Sequence, residues 1–182
     1  MTQPRKVRLM DAGQMAETVQ RLAAEIMARY PAGSDMGIIG IRTRGDHLSR
    51  RIAGIIRAEL GSAVKLGTVD VTFHRDDFRT RLPSPQVGPS DIPFGVDDLP
   101  LVLVDDVLYT GRTVRAAINS IMDFGRPASI ELAVLVDRGG RELPVQADYL
   151  GLAHAAAANE HIQVRLEEVD GSDEVLLLEY GG

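Results

Sequence analysis

The sequence predicts an α/β fold in which a mostly parallel, twisted sheet is flanked by helices. Three observations carry this. Short apolar runs at Met36–Ile41, Leu101–Val104 and Ile130–Val136 have the length and content of strands buried on both faces. Segments with apolar residues at helical spacing alternate with them, as parallel crossovers require. The polar and glycine residues cluster just after the strands, where open parallel sheets hold their ligands.

In chain order, Asp11 caps a helix whose Met15, Val19, Leu22, Ile26 and Met27 fall on one face, and Tyr30-Pro31-Ala32-Gly33 ends it. The strand Met36–Ile41 leads into Arg42-Thr43-Arg44-Gly45. Asp46 is then placed to cap a second amphipathic helix carrying Leu48, Ile52, Ile55, Ile56 and Leu60. Val64–Phe73 alternates as a strand does. From 74 to 98, four prolines, two glycines and many charges make an irregular segment of the length expected of a lid. The strand Leu101–Val104 precedes a helix over Thr113–Phe124, stopped by Gly125 and Pro127. After the strand Ile130–Val136, short strand-like pieces follow at Tyr149–Leu152, Ile162–Leu166 and Val175–Leu178.

Composition narrows the function classes. With 182 residues, 45% of them hydrophobic, one domain over 1–182 is expected. A net charge of −6 argues against a generally basic, nucleic-acid-coating surface but leaves room for a local basic face. The absence of cysteine removes disulfides, thiolate metal sites and cysteine nucleophiles, and the four histidines lack metal-ligand spacing. The polar, basic start has no signal-like apolar core, and no apolar run approaches the ~20 residues of a membrane span, so a cytoplasmic location is expected.

The chemistry concentrates in Leu101–Thr113. Asp105 and Asp106 stand at the carboxyl end of an apolar strand. Pointing in different directions, they suit accepting hydrogen bonds from neighbouring hydroxyls better than chelating one ion. Thr110-Gly111-Arg112-Thr113 then enters a helix, and N–H groups at a helix start bind phosphate. A strand-end acidic pair alone also occurs in receiver domains and metal-dependent phosphatases; the loop behind it favours a sugar phosphate. There is no GxxxxGK[ST], which disfavours a P-loop NTPase.

The stretch Asp106–Thr113, with Leu135-Val136-Asp137-Arg138-Gly139 and Arg141-Glu142-Leu143-Pro144, resembles the PyrR family of type I phosphoribosyltransferases. Those proteins pair uracil phosphoribosyltransferase activity with control of pyrimidine operons. Arg75-Asp76-Asp77 and Ile41-Arg42-Thr43-Arg44-Gly45 also fit, and the likeness runs over nearly the whole chain. The resemblance implies a type I phosphoribosyltransferase fold with a flexible lid over 74–98 and a small hood built from 137–182 and the N-terminus. It also implies residue roles. Asp105 and Asp106 would bind the ribose hydroxyls of phosphoribosyl pyrophosphate (PRPP). Val107, Leu108, Tyr109, Thr110, Gly111, Arg112 and Thr113 would wrap the 5′-phosphate. Thr43 and Arg44 would hold the pyrophosphate through a strained or cis peptide, and Arg75 would close over it. Asp137, Arg138 and Val164 would form the uracil pocket.

Mg²⁺ would be bound through the pyrophosphate and sugar hydroxyls, with no direct protein ligands expected. The implied partners are PRPP, uracil, UMP and the pyrimidine operon leader mRNA, with Arg21 and Arg141 among the candidate RNA contacts, in a homodimer or higher homo-oligomer. The chain departs from the family's more basic members at Gly140, Gln146, Leu152 and the neutral run 155–158. A catalytic phosphoribosyltransferase for uracil, a purine or orotate, without RNA binding, is the alternative.

Overall fold

The computed structural model describes residues 4–61, 64–71 and 90–181. A five-stranded sheet in the order β3-β2-β4-β5-β6 forms its centre, and all four of its strand pairings are parallel. Its strands are β2 (Gly37–Ile41), β3 (Lys65–Val69), β4 (Pro100–Leu108), β5 (Ser129–Asp137) and β6 (Tyr149–Ala153). Three further strands, β1 (Arg5–Met10), β7 (Glu160–Arg165) and β8 (Glu174–Glu179), make an antiparallel sheet in the order β1-β8-β7. The helices are α1 (Ala12–Arg29), α2 (Arg44–Leu60), α3 (Arg112–Met122) and the single turn α4 (Glu167–Asp170).

The central strands are buried because both faces are covered. All five residues of β2 are buried, as are Leu101–Asp106 of β4. Val102 and Val104 face a core shared with Met15, Leu22 and Ile26 of α1 and Leu48, Ile52 and Ile56 of α2. Leu101 and Leu103 face the opposite core, with Val114, Ala117 and Ile121 of α3. The small sheet belongs to the first of these cores, to which it contributes Ile162, Val164, Val175 and Leu177.

Each departure from the expected boundaries has a physical reason. Strand β4 runs past Val104 to Leu108, because pairing with β5 continues through Asp105, Val107 and Leu108. Two adjacent carboxylates break the apolar pattern without breaking the ladder. Val107 and Leu108, expected in the phosphate loop, are therefore strand residues. Helix α2 begins at Arg44, which places Asp46 inside its first turn rather than at its cap. Arg5, Lys6 and Arg8 look like a polar tail, yet they lie on a strand whose partner β8 supplies Glu179 and Glu174 to two of them. The segment expected as a lid divides. Residues 74–89, with Arg75, Asp76 and Asp77, lie outside the described residues. Residues 90–98 pack on the body, where Asp91 bridges Thr68 and Val96 is wholly buried.

The amino end of the sheet, away from the loops that follow β2 and β4, is fastened by a buried carboxylate. Glu131 accepts hydrogen bonds from the hydroxyls of Tyr30 (2.9 Å) and Tyr149 (2.5 Å), and Arg29 pairs with it at 2.7 Å. Burial, reinforced by the Glu131 bond, pushes the Tyr149 phenol well above its usual range. None of the described helices is long and apolar enough to cross a membrane.

Truncating Leu103, wholly buried in β4, to alanine is expected to lower stability by about 2–5 kcal/mol. A shift in the urea midpoint at unchanged slope is the measurement. A shift within error would show that the site collapses around the missing atoms.

Candidate active site

The chain leaves the neighbouring strands β2 and β4 toward opposite faces, into α2 on one side and α3 on the other. A crevice between the two exits is where an α/β sheet receives a ligand. Neither N-cap residue of the two helices that open there supplies a side-chain cap. Thr43 makes no capping bond to α2, and Gly111, at φ 91°, starts α3 with no side chain to offer. By contrast α1 is closed by its own residues, with Asp11 and Gln14 forming a reciprocal capping box. Helix starts left open in this way can use their N–H groups and dipole for a phosphate.

Between these two turns lie Asp105 and Asp106, 3% and 7% exposed. The Asp106 amide donates to Asp105 Oδ1 at 2.9 Å, which fixes the first carboxylate. Gly45 sets the spacing of the α2 turn. A Cβ there would strike the Val104 carbonyl oxygen and stand 3.1 Å from Asp105 Cα, so only glycine lets the turn lie against the acidic pair. The Arg42–Thr43 peptide is cis.

The α3 turn is held from below by a segment that the resemblance assigns to the hood. Thr110, 5% exposed, accepts the Arg112 amide on its hydroxyl at 3.1 Å, while its carbonyl accepts the Glu142 and Leu143 amides, both at 3.0 Å. Arg141 donates to the carbonyls of Tyr109 and Val145, each at 2.8 Å, and pairs with Asp137. Arg138, 7% exposed, lies 4.1 Å over the Tyr109 ring and donates to the Glu160 carbonyl at 3.1 Å. Arg112 and Glu142 form an exposed pair at 2.7 Å, a geometry worth little by itself.

Thr43 and Arg44, at the start of α2, and Tyr109, Thr110, Gly111, Arg112 and Thr113, at the start of α3, thus follow two neighbouring strands, with Asp105 and Asp106 on the second of them. Asp137 and Arg138 stand beside it at the end of β5. Val164 is placed differently: at 2% exposure it is packed in the core shared with α1 and α2. Arg44 also meets an unforeseen partner. Its guanidinium is held two-pronged by Asp170 of α4, at 2.9 and 3.0 Å from one nitrogen and 3.2 Å from Nε. Two α2 turns on, Arg51 binds Glu168 and Asp173 at 2.6 and 2.8 Å. Neither candidate RNA contact stands clear of its own chain. Arg21 donates to the Leu150 and Gly151 carbonyls and pairs with Glu25, and Arg141 is spent on the α3 turn.

A buried carboxylate pair flanked by two helix starts on a parallel sheet of this order is the arrangement of a phosphoribosyltransferase domain. The family model for the phosphoribosyl transferase domain matches residues 8–168. Bifunctional protein PyrR of Pelotomaculum thermopropionicum is 45% identical over 174 residues, covering 96% of each chain. That of Thermus aquaticus is 46% identical over 177 residues, covering 97% of this chain and 98% of the other. The chain belongs to the PyrR family and is an enzyme of the pentosyltransferase class. Among solved structures, a hypoxanthine-guanine phosphoribosyltransferase of Bacillus anthracis aligns with TM-score 0.71 at 15% identity, covering 98% of this chain and all of that one. At that identity the likeness concerns the fold alone.

Arg51 holds the carboxyls of Glu168 and Asp173 below their usual range. Burial of Asp170 works the other way, but its bonds from Arg44 and the Leu166 amide outweigh it, and its pKa too is lowered. Carboxylates depressed in the folded state stabilise it above their unfolded pKa and lose that contribution as pH falls through the folded values. The advantage of the native protein over Arg51→Gln in urea midpoint is therefore expected to be full at neutral pH, to start falling at about pH 4, and to vanish only once the pH is below the lowered folded values. A difference between the two proteins that does not change with pH would show that the carboxylate charges do not carry the network's contribution.

Proposed function

We propose that the chain transfers the phosphoribosyl group of PRPP to uracil, giving UMP and pyrophosphate, and that it controls pyrimidine biosynthetic operons by binding leader mRNA in response to UMP. The observation that carries the catalytic part is the buried pair Asp105–Asp106 between two uncapped helix starts. One carboxylate pair, one phosphate turn and one pyrophosphate turn are the groups that PRPP requires.

In this reading Asp105 and Asp106 accept the two ribose hydroxyls. The turn Tyr109–Thr113 takes the 5′-phosphate on its amides and threonine hydroxyls. The Thr43–Gly45 turn receives the pyrophosphate. The C1–oxygen bond to pyrophosphate breaks as a uracil ring nitrogen bonds to C1 and releases its proton, through a sugar with oxocarbenium character. Positioning and charge stabilisation supply the rate, and no covalent nucleophile is required. The family resemblance assigns Arg75, which lies outside the described residues, to the leaving group. Asp137 and Arg138 line the base end, with the Val164 strand behind them, and the small sheet serves as the hood.

Mg²⁺ fits this site as a ligand-borne ion, because it prefers phosphate oxygens and water with at most one or two carboxylates, and Asp105 and Asp106 are two. Bound with PRPP, it would neutralise charge on the departing pyrophosphate. The regulatory part rests on membership in the PyrR family. Candidate RNA contacts are the faces around Arg21 and Arg141, presented by a homodimer or higher assembly in the cytoplasm.

Purified protein with Mg²⁺ is expected to release pyrophosphate from PRPP with uracil and not with hypoxanthine or orotate. Asp106→Asn is expected to reduce kcat by about a hundredfold while leaving the melting temperature close to the native one. Turnover with a purine instead of uracil would overturn the base assignment, and unchanged kinetics would remove Asp106 from the site. Binding to operon leader RNA is expected to tighten with UMP and weaken with salt. The absence of any UMP-dependent shift would leave the enzyme without the regulator.

A further inference from the structure

We infer that Asp170, on the small sheet's single helical turn, is a positioning residue for the pyrophosphate turn: by holding Arg44 it fixes the start of α2 in the form that receives an anion. This rests on the reading of Thr43–Gly45 as the pyrophosphate site.

Arg44 is the first residue of α2, and a cation is disfavoured at a helix amino end, where the peptide dipoles already place positive charge. Left alone, its long side chain would sample many rotamers across the mouth of the crevice. Asp170 removes both problems. It neutralises the guanidinium and holds it by three contacts of 2.9–3.2 Å.

The carboxylate is itself held. Its Oδ2 accepts the Leu166 amide at 3.0 Å, and Arg165 donates to the Asp170 carbonyl at 3.2 Å. The tether therefore ends on β7 rather than on a loose side chain. On its other side the turn rests on Val104 and Asp105 through Gly45. Two opposed supports, backbone contact with β4 and an ion pair to α4, leave the turn's amides fixed while pyrophosphate comes and goes. Arg44 acts through the turn it steadies, and its charge is already matched.

Preorganisation of this kind strengthens ground state and transition state alike, so its loss appears in KM more than in kcat. Asp170→Asn keeps the shape and loses the charge. It is expected to raise the KM for PRPP about tenfold with kcat within about twofold of native, and Asp170→Glu is expected to recover part of the affinity. Titration of the protein with magnesium pyrophosphate is expected to show the same weakening.

Asp173→Asn supplies the control, because it breaks a neighbouring ion pair to Arg51 without touching Arg44. It is expected to leave both constants unchanged. An unaltered PRPP KM in Asp170→Asn, or an equal loss in Asp173→Asn, would overturn the inference. A native protein that makes no UMP, yet binds pyrophosphate more tightly than Asp170→Asn does, would overturn the uracil reading and support the role of Asp170.

Discussion

The arrangement depends on one topological constraint. Strands β2 and β4 are neighbours, but the chain leaves them toward opposite faces of the sheet. Two helix starts must then diverge from a shared line, and a crevice opens between them. Everything polar at the site is a response to that geometry. The acidic pair lies on the strand at the crevice, and the two uncapped helix turns flank it. Glycine at position 45 is required because the turn after β2 has nowhere else to lie.

Energetically, the two ends of the sheet do different work. The amino end is closed by Glu131 with two tyrosines and an arginine, a polar group buried only because every hydrogen bond is met. At the carboxyl end, the described capping contacts of α2 and α3 leave their starts open, and the surroundings brace them from outside. The brace under α3 comes from 137–145, and the brace beside α2 comes from α4. Both belong to parts of the chain far downstream in sequence.

That separation explains what could be read in advance. The parallel sheet, the three long helices and the turn that opens α3 follow from local patterns: apolar runs, helical spacing, and a threonine-glycine stretch after a strand. Arg42–Gly45 was legible as a second turn for the same reason. What escaped is long-range or breaks the pattern. Strand β1 hides behind Arg5, Lys6 and Arg8, whose charges two glutamates of β8 help to match. The true end of β4 hides behind its own two aspartates. The partnership of Arg44 with Asp170 spans 126 residues and leaves no local trace. The bonds of Arg21 and Arg141 to backbone carbonyls 129–130 and 32 positions away leave no local trace either.

The bracketing of Tyr109 and Thr110 by residues some thirty positions downstream has a consequence for portability. The stretch 105–113 reads like a self-contained module, a short cassette that could be moved between sheets. Its floor, however, is made by Arg141, Glu142 and Leu143, which bind the carbonyls of Tyr109 and Thr110. Transplanted alone into another α/β scaffold, the cassette would carry the right side chains on a backbone free to collapse. The smallest unit that can be grafted with its shape intact is therefore discontinuous, comprising the β4 exit together with the segment that follows β5.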